Sequence, residues 1–332
     1  MVEYILILSF IVSFFVTLLF TSFWIKRAKE TGLISKDMNK YGKTEVAELG
    51  GLPVLFGFTF GVLTLIGIET FYFKSVQGSL QVMAVLTTIL IIGIIGIIDD
   101  LLGWKLGLKQ WQKPLLTLFA ALPIVVINAG ESLISLPFIG QIDIGLIYAL
   151  IIIPIGIAGA ANGFNLLAGY NGLESSLGII ILATLGFYAW NLGVTWVAVI
   201  TLTMVFALIA FLFFNKFPAK IFPGDTLTYS VGALIAASAI MADMERVALI
   251  LFTPYFLEFI LKLRGRLKKE SFAKPLKDGS IDLLYEKVYG LEHLAIKVLK
   301  KFKSKVYEKD VIYLLILFQL IFVLIVLLVY PR

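Results

Sequence analysis

The 332-residue chain has no cysteine and a single histidine, His293. Disulfides, iron–sulfur clusters and cysteine-ligated zinc are thereby excluded, as is any mechanism that needs two histidines. Charge is scarce as well: 15% of residues are charged, against about 25% in an ordinary soluble domain. The available chemistry is that of carboxylates, amides, lysine and arginine. What the chain has in excess is apolar surface. Hydrophobic residues make up 60% of it, and runs long enough to cross roughly 30 Å of hydrocarbon recur along almost its whole length. One integral membrane domain over residues 1–332 is expected, with no separate soluble domain. The net charge of +6 reads as a signal of membrane orientation, so no nucleic-acid partner is expected.

Apolar spans and their polar breaks predict an all-α polytopic protein of about ten transmembrane helices. They lie near residues 4–25, 50–68, 80–98, 113–128, 146–162, 175–191, 195–214, 226–242, 246–263 and 310–330. The first run is longer than a signal-peptide core, lacks a basic segment before it and ends in Lys26, Arg27 and Lys29, so it is expected to be a retained helix. Of the 28 lysines and arginines, all but Lys74, Arg246 and Arg332 fall in the loops 26–49, 99–113, 215–225 and 262–309. The positive-inside rule then puts these loops, and the loop 163–174 with one carboxylate and no basic residue, in the cytoplasm and both termini outside. Residues 136–144, with β-branched side chains around Gly140 and Gln141, predict a short external hairpin. Gly57 and Gly61, and Gly156, Gly159 and Gly163, have the spacing of close helix packing. Leu283 to Lys305 reads as an amphipathic helix lying against anionic headgroups, or as a solvated charged face.

The polar clusters gather on the same side. Asp99 and Asp100 end the third helix, where the helix dipole is already negative and two carboxylates about 5 Å apart repel by about 3 kcal/mol at an effective dielectric of 20. A cation or a bound proton is expected beside them. Lys105, Lys109 and Lys113 follow in the next loop, where topology alone also accounts for them. Asn162 and Asn165 share a helical face and offer carbonyl oxygens to a hard cation, or cap and bridge helices. Asp225, in Phe222-Pro223-Gly224-Asp225-Thr226, is a candidate ligand or an N-cap. Lys262, Arg264, Arg266, Lys268 and Lys269 form a dense basic cluster suited to phosphate oxygens, or an orientation anchor. Carboxylates with amides suggest Mg²⁺ or Mn²⁺, and the lysine with two arginines suggests a diphosphate.

Asp99-Asp100, the string Asn162-x-x-Asn165-Leu-Leu-Ala-Gly-x-Asn171-Gly-Leu-Glu174 and Phe222-Pro-Gly-Asp225-Thr occur in this order and on one face. In these residues the chain resembles the polyprenyl-phosphate N-acetylhexosamine-1-phosphate transferases, over nearly the whole ten-helix plan. It looks closest to the eukaryotic and archaeal branch that makes N-acetylglucosaminyl-diphospho-dolichol for N-glycosylation, although Arg264-Gly265-Arg266 stands where that branch usually has Arg-His-Arg. The resemblance implies transfer of GlcNAc-1-phosphate from UDP-N-acetylglucosamine to a polyprenyl (dolichyl) phosphate with release of UMP. It implies Mg²⁺, replaceable by Mn²⁺, on Asn165 and Asp225, with catalytic roles for Asp99, Asp100 and Lys109. Glu48 and Asn171 would meet the uridine. Lys109, Arg264 and Arg266 would hold the diphosphate, and Asn162, Glu174 and Gly265 would complete the substrate site. The expected setting is a plasma membrane in a prokaryote or the endoplasmic reticulum in a eukaryote, with a cytoplasmic active site and a homodimer as an open arrangement. Two other readings stand beside it: the same chemistry with another UDP-N-acetylhexosamine for cell-envelope polymers, and a cation or lipid-phosphate transporter. Against the transporter, its site belongs near the midplane, whereas these clusters lie at one face.

Overall fold

The computed structural model describes residues 2–42, 44–75, 78–130, 133–136 and 140–330. Hydrocarbon offers no hydrogen bonds, so a backbone crossing it must satisfy itself, and the long apolar runs accordingly fold as helices. They are α1 (Val2–Thr31), α2 (Gly51–Gly67), α3 (Ser79–Leu106), α4 (Gln112–Ala120), α5 (Leu122–Val126), α6 (Ile153–Leu166), α7 (Leu173–Asn191), α8 (Thr195–Asn215), α9 (Gly224–Met241), α10 (Glu245–Leu251), α11 (Thr253–Arg264), α12 (Leu291–Leu299) and α13 (Glu308–Val329). A π-helical turn extends α2 over Ile68–Tyr72, and another, Tyr148–Ile152, leads into α6.

Among the described residues seven helices are long and apolar enough to cross a membrane, fewer than the ten spans expected. The three shortfalls have separate causes. The span expected at 113–128 is two helices, α4 and α5, which meet at Ala121 just before Pro123. The span at 246–263 is likewise α10 and α11, divided at Phe252 before Pro254. In both, proline sits in the first turn of the second helix, where its missing N–H costs nothing. The span at 226–242 is one continuous helix, α9, but a less apolar one. It is the centre of the bundle, packed by α2, α3, α6, α7, α8 and α10, and it meets protein on all sides with buried Ser230, Gly232, Ala233, Ala237 and Ser238.

Small residues decide how closely these helices approach. A Cβ on Gly61 would lie 2.8 Å from the carbonyl of Ser9 in α1, and one on Gly96 of α3 would lie 2.5 Å from Cα of Thr226 in α9. The packing role expected of Gly57 and Gly61 therefore holds, since both face α1. It fails for Gly156 and Gly159, which have open space within 4 Å and sit on the exposed face of α6. Gly163 does face a neighbour, Phe252.

Three two-strand ribbons complete the fold. β1 (Ile34–Lys36) pairs antiparallel with β2 (Glu45–Ala47) in the first polar loop. β3 (Leu133–Leu136) and β4 (Gly140–Asp143) form the expected hairpin, whose connection 137–139 lies outside the described residues, as does Arg332. β5 (Lys274–Pro275) and β6 (Ile281–Asp282) pair in the long loop after α11. The amphipathic helix expected over 283–305 is confined to α12, because Gly290 is fully extended and residues 300–303 turn back toward α13. Its buried face, Leu291, Glu292, His293, Ala295 and Ile296, packs on protein.

These contacts separate two kinds of glycine. Gly96→Val should lower stability by about 1–3 kcal/mol, because the new side chain meets backbone that cannot yield. Gly156→Ala should be neutral or stabilising by up to about 1 kcal/mol, from helix propensity alone. Thermal denaturation of the two variants in detergent, followed by size-exclusion chromatography, checks both; equal melting temperatures would contradict the packing.

Candidate active site

The site begins where α3 meets α9. The peptide before α9 cannot be capped by its own side chains, and no side chain of the helix itself fills that role. Asp100, from the end of α3, does so instead. Its Oδ1 accepts the N–H of Asp225 at 2.7 Å, and its Oδ2 accepts the N–H and the hydroxyl of Thr226 at 3.1 and 2.7 Å. A carboxylate at a helix N-terminus satisfies orphan donors and meets the positive end of the dipole. Gly224 is essential to the approach: its φ is +70°, and a Cβ there would lie 2.8 Å from Cγ of Asp100. Asp225 is thus not the N-cap that its position suggested, and its carboxylate is left for other partners.

Those partners are a lysine and a second aspartate. Nζ of Lys113, at the start of α4, lies 2.6 Å from Oδ2 of Asp99 and 2.8 Å from Oδ2 of Asp225. The other oxygen of Asp99 accepts the N–H of Leu108 at 2.6 Å, which ties the loop after α3 back onto the helix. Gly103, at φ +64° and ψ 176°, makes the kink that lets the chain return. Lys109, the lysine expected to act, is exposed; only its backbone is hydrogen bonded, to Gln112 and Lys113. Lys113 carried an equal signal, since it stood in the same loop at the head of the next apolar run, and the register of that loop decides between them.

The amides divide by role. Oδ1 of Asn165 accepts the hydroxyl of Thr228 at 3.1 Å, one turn along α9 from Asp225. Asn162 bonds instead to the Thr117 hydroxyl and the Ala158 carbonyl, both at 2.8 Å, and so joins α6 to α4. Asn171 is buried: its N–H goes to Glu308 at 2.9 Å and its amide to Asp37 at 3.0 Å, while its Oδ1 is buried without a partner. Glu174 accepts the Gly169 N–H at 2.6 Å and closes the loop before α7. Asp37, Asn39 and Lys40 begin the stretch over which the resemblance runs but carried no expected role, and Glu308 gave no signal. Lys40 pairs with Glu308, and Asn39 bridges the Gly169 carbonyl and the Ala273 N–H at 2.9 and 3.0 Å. Their partners lie 130 to 268 residues away, a separation no local pattern reports.

Glu48 is brought to the site by backbone pairing. Gly50 and Gly51 donate to the carbonyls of Phe222 and Pro223 at 2.8 and 2.7 Å, and Phe222 donates to Ala47 at 2.8 Å. The Glu48 carboxylate accepts the Ser35 hydroxyl. Arg264 and Arg266 lie in an exposed turn, joined to the lysine loop by a 2.7 Å bond from Gln110 to the Leu267 carbonyl. Gly265 has no room for the histidine of the related motif, since a Cβ would lie 2.7 Å from Cγ of Lys269. The one histidine, His293, is buried, with Nε2 3.3 Å from the Phe272 carbonyl and Nδ1 3.4 Å from the Tyr289 N–H. Burial, the larger effect, lowers its pKa from the usual value, so the neutral ring donates from Nε2 and serves as a structural pin.

Among the described residues no group of three or more histidine, aspartate or glutamate side chains is arranged to hold a metal ion unaided. The donor chemistry nonetheless fits a magnesium-like cation, which binds through one or two carboxylates and fills its remaining positions with water and substrate phosphate. Asp99, Asp100 and Asp225 gather three carboxyl groups around one lysine, Lys113, and the ammonium already sits where a cation between two carboxylates belongs.

Residues 82–243 match the profile of glycosyl transferase family 4. The chain is 38% identical over 297 residues, 88% of both proteins, to a Saccharolobus solfataricus protein named provisionally as a UDP-N-acetylglucosamine–dolichyl-phosphate N-acetylglucosaminephosphotransferase. A Sulfolobus acidocaldarius protein of the same provisional name is 34% identical over 301 residues, 90% of this chain and 89% of that protein. A phospho-N-acetylmuramoyl-pentapeptide-transferase of Clostridium beijerinckii is 31% identical over 236 residues, 67% of this chain and 70% of the relative.

The two lysines make a direct test of the geometry. Lys113→Met leaves Asp99 and Asp225 facing each other without a counter-charge and should cost about 1–3 kcal/mol of stability. Lys109→Met should stay within about 0.5 kcal/mol of the parent. Melting temperatures measured side by side decide it, and a larger loss at position 109 would refute the bridging role.

Proposed function

The chain belongs to glycosyl transferase family 4, and we propose that it transfers GlcNAc-1-phosphate from UDP-N-acetylglucosamine to a polyprenyl, dolichol-type, phosphate, releasing UMP. An oxygen of the lipid phosphate attacks the β-phosphorus of the nucleotide sugar; the new P–O bond forms as the bond to UMP breaks. A phosphomonoester has a second pKa near 6, so much of the acceptor is already dianionic at pH 7 and needs no strong base. The observation that carries this reading is the pairing of a carboxylate–lysine centre, at Asp99, Lys113 and Asp225, with an exposed turn holding Arg264 and Arg266. Two polyanions must meet, and catalysis rests on positioning and charge cancellation.

Within this reading each residue has one task. Asp99 has both oxygens engaged, on Lys113 and on Leu108, which suits an electrostatic role better than proton abstraction. Asp100 aims the start of α9. Asp225 and Asn165 would hold Mg²⁺, or Mn²⁺, which when bound neutralises phosphate charge as a Lewis acid. Arg264 and Arg266, with Lys113 and Lys109 beside them, take the diphosphate. Asn171, whose Oδ1 has no protein partner, and Glu48 would meet the uracil or its ribose. Asn162 acts by joining α6 to α4, and Glu174 by closing the loop before α7. The ten-span plan, with α4–α5, α9 and α10–α11 as crossings and the polar end in the cytoplasm, is part of the same proposal.

Transfer of label from UDP-[¹⁴C]GlcNAc into organic-extractable lipid, with dolichyl phosphate and with or without Mg²⁺, tests the reaction. It should require the metal and fall by about 100-fold or more in Asp225→Asn. No transfer by folded protein with any UDP-sugar would sink the proposal, and transfer only from another UDP-N-acetylhexosamine would reassign the donor. The orientation has its own test, since the chain is free of cysteine. Single cysteines at Lys74 and Lys277 should react with an impermeant maleimide from opposite sides of sealed vesicles; labelling from one side would overturn the orientation.

A further inference from the structure

The arginine turn is built against its own backbone preference. Arg266 and Leu267 are consecutive non-glycine residues with φ of +56° and +58°. Each costs roughly 1 kcal/mol or more and persists only where surrounding contacts over-determine it. The turn's own hydrogen bonds run from Gly265 and Leu267 to the Lys262 carbonyl, at 2.9 and 3.0 Å, and from Arg266 to the Leu263 carbonyl at 2.9 Å. They hold the shape of the turn and leave its position on the protein to other groups.

Those groups are buried directly behind it. Lys262, the last buried residue of α11, extends Nζ to 2.5 Å from the Ser271 hydroxyl and 3.4 Å from the Lys269 carbonyl, both on the far arm of the turn. The same ammonium lies 3.5 Å from Oε1 of Glu258, one helical turn earlier, and Glu258 is wholly buried. Oε2 of Glu258 accepts the N–H of Leu291 at 2.5 Å and so caps the first turn of α12. A second buried carboxylate, Glu292, stands beside them: a Cβ on Gly290 would lie 2.6 Å from its Oε2 and 2.9 Å from Oε1 of Glu258. Burial, and after it the Glu258 charge, raises the pKa of Glu292 well above the usual value. On the outer side Gln110 bonds the Leu267 carbonyl. A charged pair carried into a dry interior is costly unless it does something a hydrophobic pair cannot. This one ties three pieces of chain, α11, the far arm of the turn and α12, to a single point.

We propose that Glu258 and Lys262 form a buried clamp, with Gln110 as its outer brace, whose task is to position the turn of Arg264 and Arg266 for a diphosphate. All three are positioning residues; none is assigned contact with substrate. The proposal rests on the nucleotide-sugar reading for its ligand and on the hydrogen bonds and the Glu258–Lys262 ion pair for its mechanics. Removing the clamp frees two exposed arginines from the orientation in which both address one ligand, so it raises the concentration of nucleotide sugar needed while leaving the carboxylate–lysine centre intact.

The test uses the full-length protein in detergent, as parent, Lys262→Met, Glu258→Gln and Gln110→Ala, with Lys300→Met as a control. Lys300 belongs to a half-exposed pair with Asp282 in the same loop and reaches no part of the turn. In Lys262→Met and Glu258→Gln the KM for UDP-N-acetylglucosamine should rise by about ten-fold, with kcat changed less than about three-fold and the KM for lipid phosphate unchanged. Gln110→Ala is on the surface and cannot unfold the chain, so its smaller rise, of about three-fold, is read even if the buried variants do not fold. Limited trypsin digestion supplies a readout independent of turnover: cleavage after Arg264 and Arg266 should quicken by about ten-fold in Lys262→Met and not in Lys300→Met. Unchanged KM and unchanged cleavage in folded variants overturn the clamp, as does an equal loss of kcat with constant KM. A parent without transfer whose turn still loosens in Lys262→Met overturns the nucleotide-sugar reading and leaves the clamp standing.

Discussion

Two backbone N–H groups at the start of α9 end on the carboxylate of Asp100, and the polar end of the bundle is arranged around that contact. α9 is enclosed by protein along most of its length, and at its partly exposed N-terminus a neighbouring carboxylate takes the donors that water would otherwise meet. The neighbour has to come very close, and this is why Gly96 and Gly224 stand at the crossing, where any Cβ meets backbone or carboxylate. With Asp100 committed to the cap, adjacent Asp99 is directed the other way, toward Lys113, and Asp225 is released from capping its own helix to join them. One satisfied helix end therefore sets the place of three charged side chains.

The charge that results is unbalanced by design of the fold. Three carboxylates and one ammonium at a half-exposed site leave an excess of negative charge that only a bound cation or proton can relieve. Two substrates that are themselves polyanions need the opposite, and the opposite charge is placed a short distance away on the turn of Arg264 and Arg266. Gln110 connects the two halves, because the loop that carries Lys109 and Lys113 also carries the brace to Leu267. The negative half is anchored in the bundle core through α3 and α9. The positive half hangs on a loop, and for that reason it needs buried contacts of its own.

Much of this was legible in the sequence because it is local. The ten apolar runs are all helical, the hairpin forms where β-branched residues flank Gly140, and basic loops flank the helix ends that hold Asp99 and Asp225. The polar string from Asn162 to Glu174 was recognisable as a unit, yet the division of labour inside it was not. Asn162 turned out to bridge α6 to α4, and Glu174 to close its own loop, because each role depends on a partner outside the string. Lys113 and Lys109 differ by one turn of chain and by nothing in composition; only the kink at Gly103 and the return of Leu108 onto Asp99 choose between them. Apolarity misjudged α9 for the same reason, since a helix surrounded by protein is free to be small and polar where one facing lipid is not.

The first and last polar loops explain how a loop becomes rigid enough to present a site. Asn171, in the middle of the recognisable string, is held by Asp37 from the first loop and Glu308 from the start of α13, and Lys40 pairs with that same Glu308. Asn39 adds a bond to Gly169 on one side and to Ala273 on the other. The backbone N–H and the amide nitrogen of Asn171 are thus fixed on two different elements, and the side chain cannot turn. The arginine turn follows the same logic with Glu258 and Lys262. In both places buried carboxylates, Asp37 and Glu308 in one and Glu258 in the other, hold loop segments in place through their hydrogen bonds.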